Sequence, residues 1–170
     1  MSNRIVLVTG GARSGKSRFS EGLVLQSEGN PFYIATCPVL DDETADRVRR
    51  HRLRREAANW TTIEEERNLV GAVRLAAAED AGAVLIDCLL FEDPGLSEDD
   101  MARKAEELVA ALREGPPVCV LVINEVGLGI VPESPLSRRF RDLSGRCAQI
   151  VAAAADEVYF TVAGIAKRIK

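Results

Sequence analysis

The sequence has one histidine and few aromatic residues, 5% of 170 positions, and none of its four cysteines stands in a Cys-x-x-Cys pair. Cys37, Cys88, Cys119 and Cys147 are widely scattered and form no cluster with His51, so a zinc site or a thioredoxin-type redox pair has no support. They read as buried thiols of a reducing compartment. A basic excess is also missing: 22 Lys and Arg face 26 Asp and Glu, a net charge of −4. A general nucleic-acid coat needs a positive surface to displace counterions, and any basic patch here must be local. The longest strongly apolar run, Val118 to Ile123, falls far short of the roughly 20 residues that cross a bilayer. Met1 to Val8 holds one positive charge and too short an apolar stretch for a secretory leader. These absences predict a soluble, cytoplasmic protein with no membrane span.

What is present is a regular alternation of short apolar runs with helical segments. At this length a chain buries about 70% of its unfolded surface, enough for one compact domain over residues 1–170. Arg4 to Thr9 is rich in β-branched residues and ends at two glycines, which predicts a buried parallel strand. Lys16 to Glu28 has helical character and is stopped by Gly29-Asn30-Pro31. Strands are then expected at Phe32–Ala35, Trp60–Ile63, Ala83–Asp87 and Pro117–Ile123. Helices are expected at Thr44 to about Ala58, Asn68–Ala78, Glu98–Arg113 and Leu136–Ala155. Glu157–Val162, Gly164 and Ile165–Ile169 predict a terminal hairpin at the sheet edge. The pattern is that of an α/β domain with a mostly parallel sheet flanked by helices.

The first strand–helix junction carries the most specific signal. Gly10-Gly11-Ala12-Arg13-Ser14-Gly15-Lys16-Ser17 fits G-x-x-x-x-G-K-[ST] in the strand–loop–helix context that motif requires. A glycine-rich loop turns its amides inward around phosphate oxygens, and the helix N-terminus adds its positive end. Lys16 is expected to reach the β- and γ-phosphates, and the Ser17 hydroxyl to bind Mg²⁺. Asp87, at the end of an apolar strand, is the expected second magnesium residue, acting through water. Asn124 and Glu125 follow the central strand, where they either cap the loop or orient water, magnesium or a substrate hydroxyl near the γ-phosphate.

A second feature is charge of one sign packed into one place. Residues 47–55 hold six arginines and the sole histidine of an acidic protein. On a helix, Arg47, Arg50, His51, Arg54 and Arg55 share a face through three- and four-residue steps. Three readings compete: a solvated basic helix, a nucleic-acid contact, and a nucleotide site. In the third, a neutral His51 imidazole attacks the α-phosphorus of a nucleoside triphosphate while arginines neutralise the phosphoryl charge.

The motifs taken together resemble a known family. Residues 10–17, Tyr33-Ile34-Ala35-Thr36, Leu40-Asp41-Asp42-Glu43 leading into Arg47 and His51, the segment Asn124 to Glu133, Phe140 to Arg146 and Ala153 to Tyr159 occur in that order. This set is similar to the bifunctional adenosylcobinamide kinase / adenosylcobinamide-phosphate guanylyltransferases of cobalamin biosynthesis, over nearly the whole chain. The resemblance implies a RecA-like P-loop fold and two reactions. ATP or GTP phosphorylates the aminopropanol hydroxyl of adenosylcobinamide. GMP then passes from GTP through a guanylylated histidine, here His51, to the new phosphate, giving adenosylcobinamide-GDP. The resemblance further implies that Ile34, Ala35 and Thr36, Arg52, Leu53, Arg54 and Arg55, and Glu64 contact the guanine nucleotide, and that the enzyme is a trimer. Arg50 stands where some members carry a second histidine, and Glu56 where proline is common. Alternatives from the residues alone are a kinase without the transferase step, a GTP-dependent regulatory binding protein, and a RecA-like single-strand binder. The second of these lacks an Asn-Lys-x-Asp guanine-reading motif.

Overall fold

A computed structural model describes residues 3–36, 49, 53, 58–89 and 96–170. Its elements, in chain order, are β1 (Arg4–Gly10), α1 (Lys16–Leu25), β2 (Asn30–Ala35), β3 (Thr61–Glu64), α2 (Leu69–Ala78), β4 (Ala81–Asp87), α3 (Glu98–Glu114), β5 (Val118–Asn124), α4 (Pro135–Ala154), β6 (Glu157–Val162) and β7 (Ile165–Arg168). The seven strands form one sheet in the order β3-β2-β4-β5-β1-β6-β7. Every pairing is parallel except the β6–β7 hairpin at the edge. This is the RecA-like P-loop architecture the resemblance implies, and β5 lies between the strand that leads into the glycine-rich loop and the strand that ends in Asp87.

The central strands are nearly continuous apolar runs because both faces of the sheet are covered. Side chains alternate across a strand, so Ile5 and Leu7 of β1 enter one core while Val6 and Val8 enter the other. The first core also takes Leu69 and Val73 of α2, Met101 and Leu108 of α3, and Val151 of α4. The second takes Val24 of α1 with Tyr33, Leu85, Val120 and Val122. Helices therefore lie on both faces, α1 on one and α2, α3 and α4 on the other.

Local chemistry accounts for several boundaries. Helix α3 buries Met101, Ala105, Leu108 and Leu112, a four-three-four spacing that keeps one stripe inward. Its first turn carries Glu98, Asp99 and Asp100, and the Ser97 hydroxyl caps it by accepting from the Asp100 amide at 3.0 Å. Helix α1 ends at Leu25, three residues before the expected Glu28, and β2 begins at Asn30 rather than Phe32. Pro31 is tolerated inside β2 because the pairing with β4 shifts register between Asn30 and Pro31, where a missing N–H breaks no regular ladder. Arg49 and Leu53 are helical, as expected of that segment, while Ala58 and Asn59 already form a turn. The remainder of the expected helix from Thr44 lies outside the described residues.

Cys119 and Cys147 are buried, and desolvation pushes both thiols up to about 12, so neither is a nucleophile at neutral pH. Among the described residues no helix is long and apolar enough to cross a membrane.

Leu121 lies fully buried in the middle of β5, between β1 and β4. Leu121→Ala is expected to cost about 2–5 kcal/mol of folding free energy, read from the midpoint of urea unfolding with an unchanged slope.

Candidate functional site

Because the strands run parallel, their carboxyl ends share one edge of the sheet, and the sequence places chemistry-bearing residues at each of them. Gly10 pairs with Asn124, Ala35 with Asp87, and Ala35 with Glu64 across β3. The glycine-rich loop, Asp87, Asn124, the Ile34–Thr36 segment and Glu64 are thereby brought to the same rim, where ligands of open α/β sheets sit.

The loop itself is shaped as an anion-binding nest. Arg13 has φ +54° and Gly15 φ +100°, both left-handed, and helix α1 starts directly afterwards. Gly15 caps that helix without a side-chain hydrogen bond, so the first-turn amides keep their capacity for an anion. Lys16 is only 6% exposed, and its Nζ donates to the Gly11 carbonyl at 2.6 Å. Burial lowers its pKa below the ordinary lysine value, partly countered by the negative charge of Asp87 and by Cys88. A buried ammonium whose main opposing influence is desolvation gains from an incoming polyphosphate what water no longer gives it.

Asp87 is held at its position by its neighbours in the sheet. The next residue, Cys88, has its carbonyl accepting from the Thr36 hydroxyl of the β2 end. Its Sγ accepts from Asn124 Nδ2 at 3.7 Å at the β5 end, and the Leu89 amide donates to Val122 O at 2.7 Å. Thr36 is buried and engaged in this tie, and Ile34 is a core side chain, so only backbone atoms of Ile34 remain for a ligand. Ala35 is half-buried and Glu64 exposed at the adjacent strand end.

Glu125 is engaged within its own loop, whereas Asn124 is engaged with Cys88 at the β4 end. Glu125 Oε1 accepts from the Gly127 amide at 2.6 Å, and the Glu125 amide donates to Gly10 O at 2.9 Å. Ser17 is half-buried at the first turn of α1, and Gly11, Ala12 and Arg13 reach the surface. Leu53 is exposed. His51, Arg52, Arg54 and Arg55 lie outside the described residues.

Sequence reasoning missed the back of the loop. The Gly164 amide in the β6–β7 turn donates to Ser14 O at 2.9 Å, and Ser14 Oγ lies 2.7 Å from Thr161 Oγ1. Nothing in the local pattern at 161–164 other than a two-residue hairpin turn marks that contact.

Known proteins resemble this chain along nearly its whole length. The family model described as cobinamide kinase / cobinamide phosphate guanyltransferase matches residues 6–169. The bifunctional adenosylcobalamin biosynthesis protein CobU of Escherichia coli K12 is 42% identical over 183 aligned positions, covering 98% of this chain and 99% of that protein. The protein of the same name from Salmonella typhimurium is 43% identical with the same coverage. The bifunctional adenosylcobalamin biosynthesis protein CobP of Pseudomonas aeruginosa is 42% identical over 168 positions, 96% of each chain.

Lys16→Met removes a charge whose burial opposes folding, so at neutral pH the ligand-free variant is expected to melt at or above the wild-type temperature. Guanosine triphosphate at 100 times its dissociation constant should stabilise the wild type by about 2.7 kcal/mol and at the same concentration leave Lys16→Met nearly unshifted, as followed by thermal unfolding. With a matched region spanning almost the entire sequence and two-fifths identity to full-length relatives, the chain belongs to the cobinamide kinase / cobinamide phosphate guanyltransferase family.

Proposed function

We propose that this chain, as a single domain over residues 1–170, phosphorylates adenosylcobinamide and then guanylylates the product, using one nucleotide cradle and one histidine. The observation that carries the reading is the nest at residues 10–17 with a desolvated Lys16 beside Asp87, in a chain matched to the family from end to end.

In the kinase step the aminopropanol hydroxyl oxygen of adenosylcobinamide attacks the γ-phosphorus of ATP or GTP. The bond from that phosphorus to the bridging oxygen breaks, the nucleoside diphosphate leaves, and the hydroxyl proton passes to solvent or a carboxylate. The chain's contribution is positioning and charge: amides of residues 11–17 hold the phosphates, and the Lys16 ammonium moves from Gly11 O to the β- and γ-oxygens. Ser17 and Asp87 present hard oxygen donors at the same rim, and their chemistry fits Mg²⁺, which takes one or two protein oxygens and completes its shell with phosphate and water. Bound there, the ion would neutralise phosphate charge.

In the transferase step an imidazole nitrogen of His51 attacks the α-phosphorus of GTP and expels pyrophosphate. A phosphate oxygen of adenosylcobinamide phosphate then displaces the histidine, forming the new P–O–P bond and restoring free imidazole. Arg52, Arg54 and Arg55 supply positive charge for the transferring group, and Leu53 with Ile34, Ala35, Thr36 and Glu64 completes the guanine-nucleotide contacts. Trimeric assembly in the cytoplasm belongs to the same reading, and sedimentation at micromolar concentration checks the trimer.

Two variants separate the half-reactions. Lys16→Ala is expected to abolish kinase turnover while the protein still unfolds cooperatively, and near-normal turnover would refute the cradle. His51→Ala should keep the kinase and lose guanylyl transfer. After incubation with α-labelled GTP and denaturation, acid-labile, base-stable label should remain on the wild type alone. Equal labelling of the variant would remove His51 from the role.

A further inference from the structure

The C-terminal hairpin touches the phosphate loop in a way the reactions above do not use. Thr161 of β6 is 1% exposed, and its hydroxyl donates to Thr9 O at 3.1 Å. A hydroxyl has one proton, so the 2.7 Å contact to Ser14 Oγ is made with Ser14 donating and Thr161 accepting. Thr161 is thus a relay between the end of β1 and the middle of the loop. The Gly164 amide adds a bond to Ser14 O at 2.9 Å. A trans peptide points its N–H opposite to its carbonyl, so fixing Ser14 O toward the hairpin turns the Gly15 amide toward the ligand side.

The fit leaves no slack. A Cβ on Gly15 would lie 3.0 Å from Gly164 Cα, and one on Gly10 would strike the Thr161 carbonyl and hydroxyl. The turn makes its close approach with Ala163 at φ +51° and Gly164 at φ +81°, the two left-handed residues of a tight hairpin. One turn into α1, Phe19 packs its ring on Tyr159 of β6 with centroids 4.9 Å apart.

We propose that Thr161 is a positioning residue for nucleotide binding, its hydroxyl holding Ser14 so that the loop amides are set before the phosphates arrive. This rests on the nucleotide-cradle reading above. Preorganised donors cost no rearrangement on binding, so loosening them appears as weaker nucleotide affinity.

Thr161→Ser and Thr161→Ala differ from each other by one oxygen atom and carry the test. With GTP titrated into purified protein, Thr161→Ser should bind within about twofold of wild type and Thr161→Ala about tenfold more weakly, the scale of one lost hydrogen bond. KM for the nucleotide should rise in parallel, with KM for adenosylcobinamide unchanged. In a Ser14→Ala background the Thr161→Ala penalty should shrink below about twofold, because the shared bond is already gone. Equal affinity of the two Thr161 variants, or a penalty undiminished by Ser14→Ala, would overturn the proposal. If Thr161→Ala does not unfold cooperatively, Ser14→Ala alone reads the bond from its other end, and wild-type affinity there overturns it. A wild type that fails to bind GTP at all would instead remove the cradle itself.

Discussion

A run of backbone amides can converge on an anion only if the carbonyls between them are directed elsewhere and satisfied there. That constraint governs residues 10–17. The Gly10 carbonyl accepts from Glu125, the Gly11 carbonyl from Ser14 and from Lys16, and the Ser14 carbonyl from Gly164. Each of these carbonyls is satisfied within the protein, the Gly11 carbonyl partly by the loop's own Ser14 amide. Glycine is needed at Gly10 and Gly15 because strand β6 and its turn press on the loop from behind, where a side chain would collide. The rest of the fold supplies the walls: β5 on one side of β1, β6 on the other, and α1 taking up the chain as soon as the loop ends.

The second requirement is that positive charge be present but poorly solvated. Lys16 meets it by burial, which lowers its pKa, with the negative charge of Asp87 partly countering that desolvation. Asp87 in turn is placed by groups that do no chemistry: the Thr36 hydroxyl on the carbonyl of Cys88, the Asn124 amide on its sulfur, and the Leu89 amide on β5. Three strand ends are tied together through a single residue, with the Thr36 side chain buried and that of Asn124 half-buried.

Much of this was legible in the sequence because it depends on local pattern. Apolar runs such as Val118 to Ile123 mark strands buried on both faces, and the glycine-lysine-serine spacing marks the cradle. Helix α3 could be read from its acidic first turn and its inward stripe. What was not legible depends on separation in the chain. Ser14 and Thr161 are 147 residues apart, and no periodicity links them. Pro31 was read as a stop, yet it lies inside β2 because a register shift at that point spares its missing donor. The functions assigned to Ile34 and Thr36 by resemblance could not reveal that their side chains are engaged in the core and in the tie to Cys88.

The sheet order has a consequence for how the molecule comes into being. Strand β1 is made before both of its neighbours, which begin at Val118 and Glu157. Until those segments emerge, the strand that leads into the loop has no partner on either side, and the loop has nothing behind it. The glycine-rich motif therefore precedes in the chain every strand that shapes it, and nucleotide can assist folding only after β6 has been made.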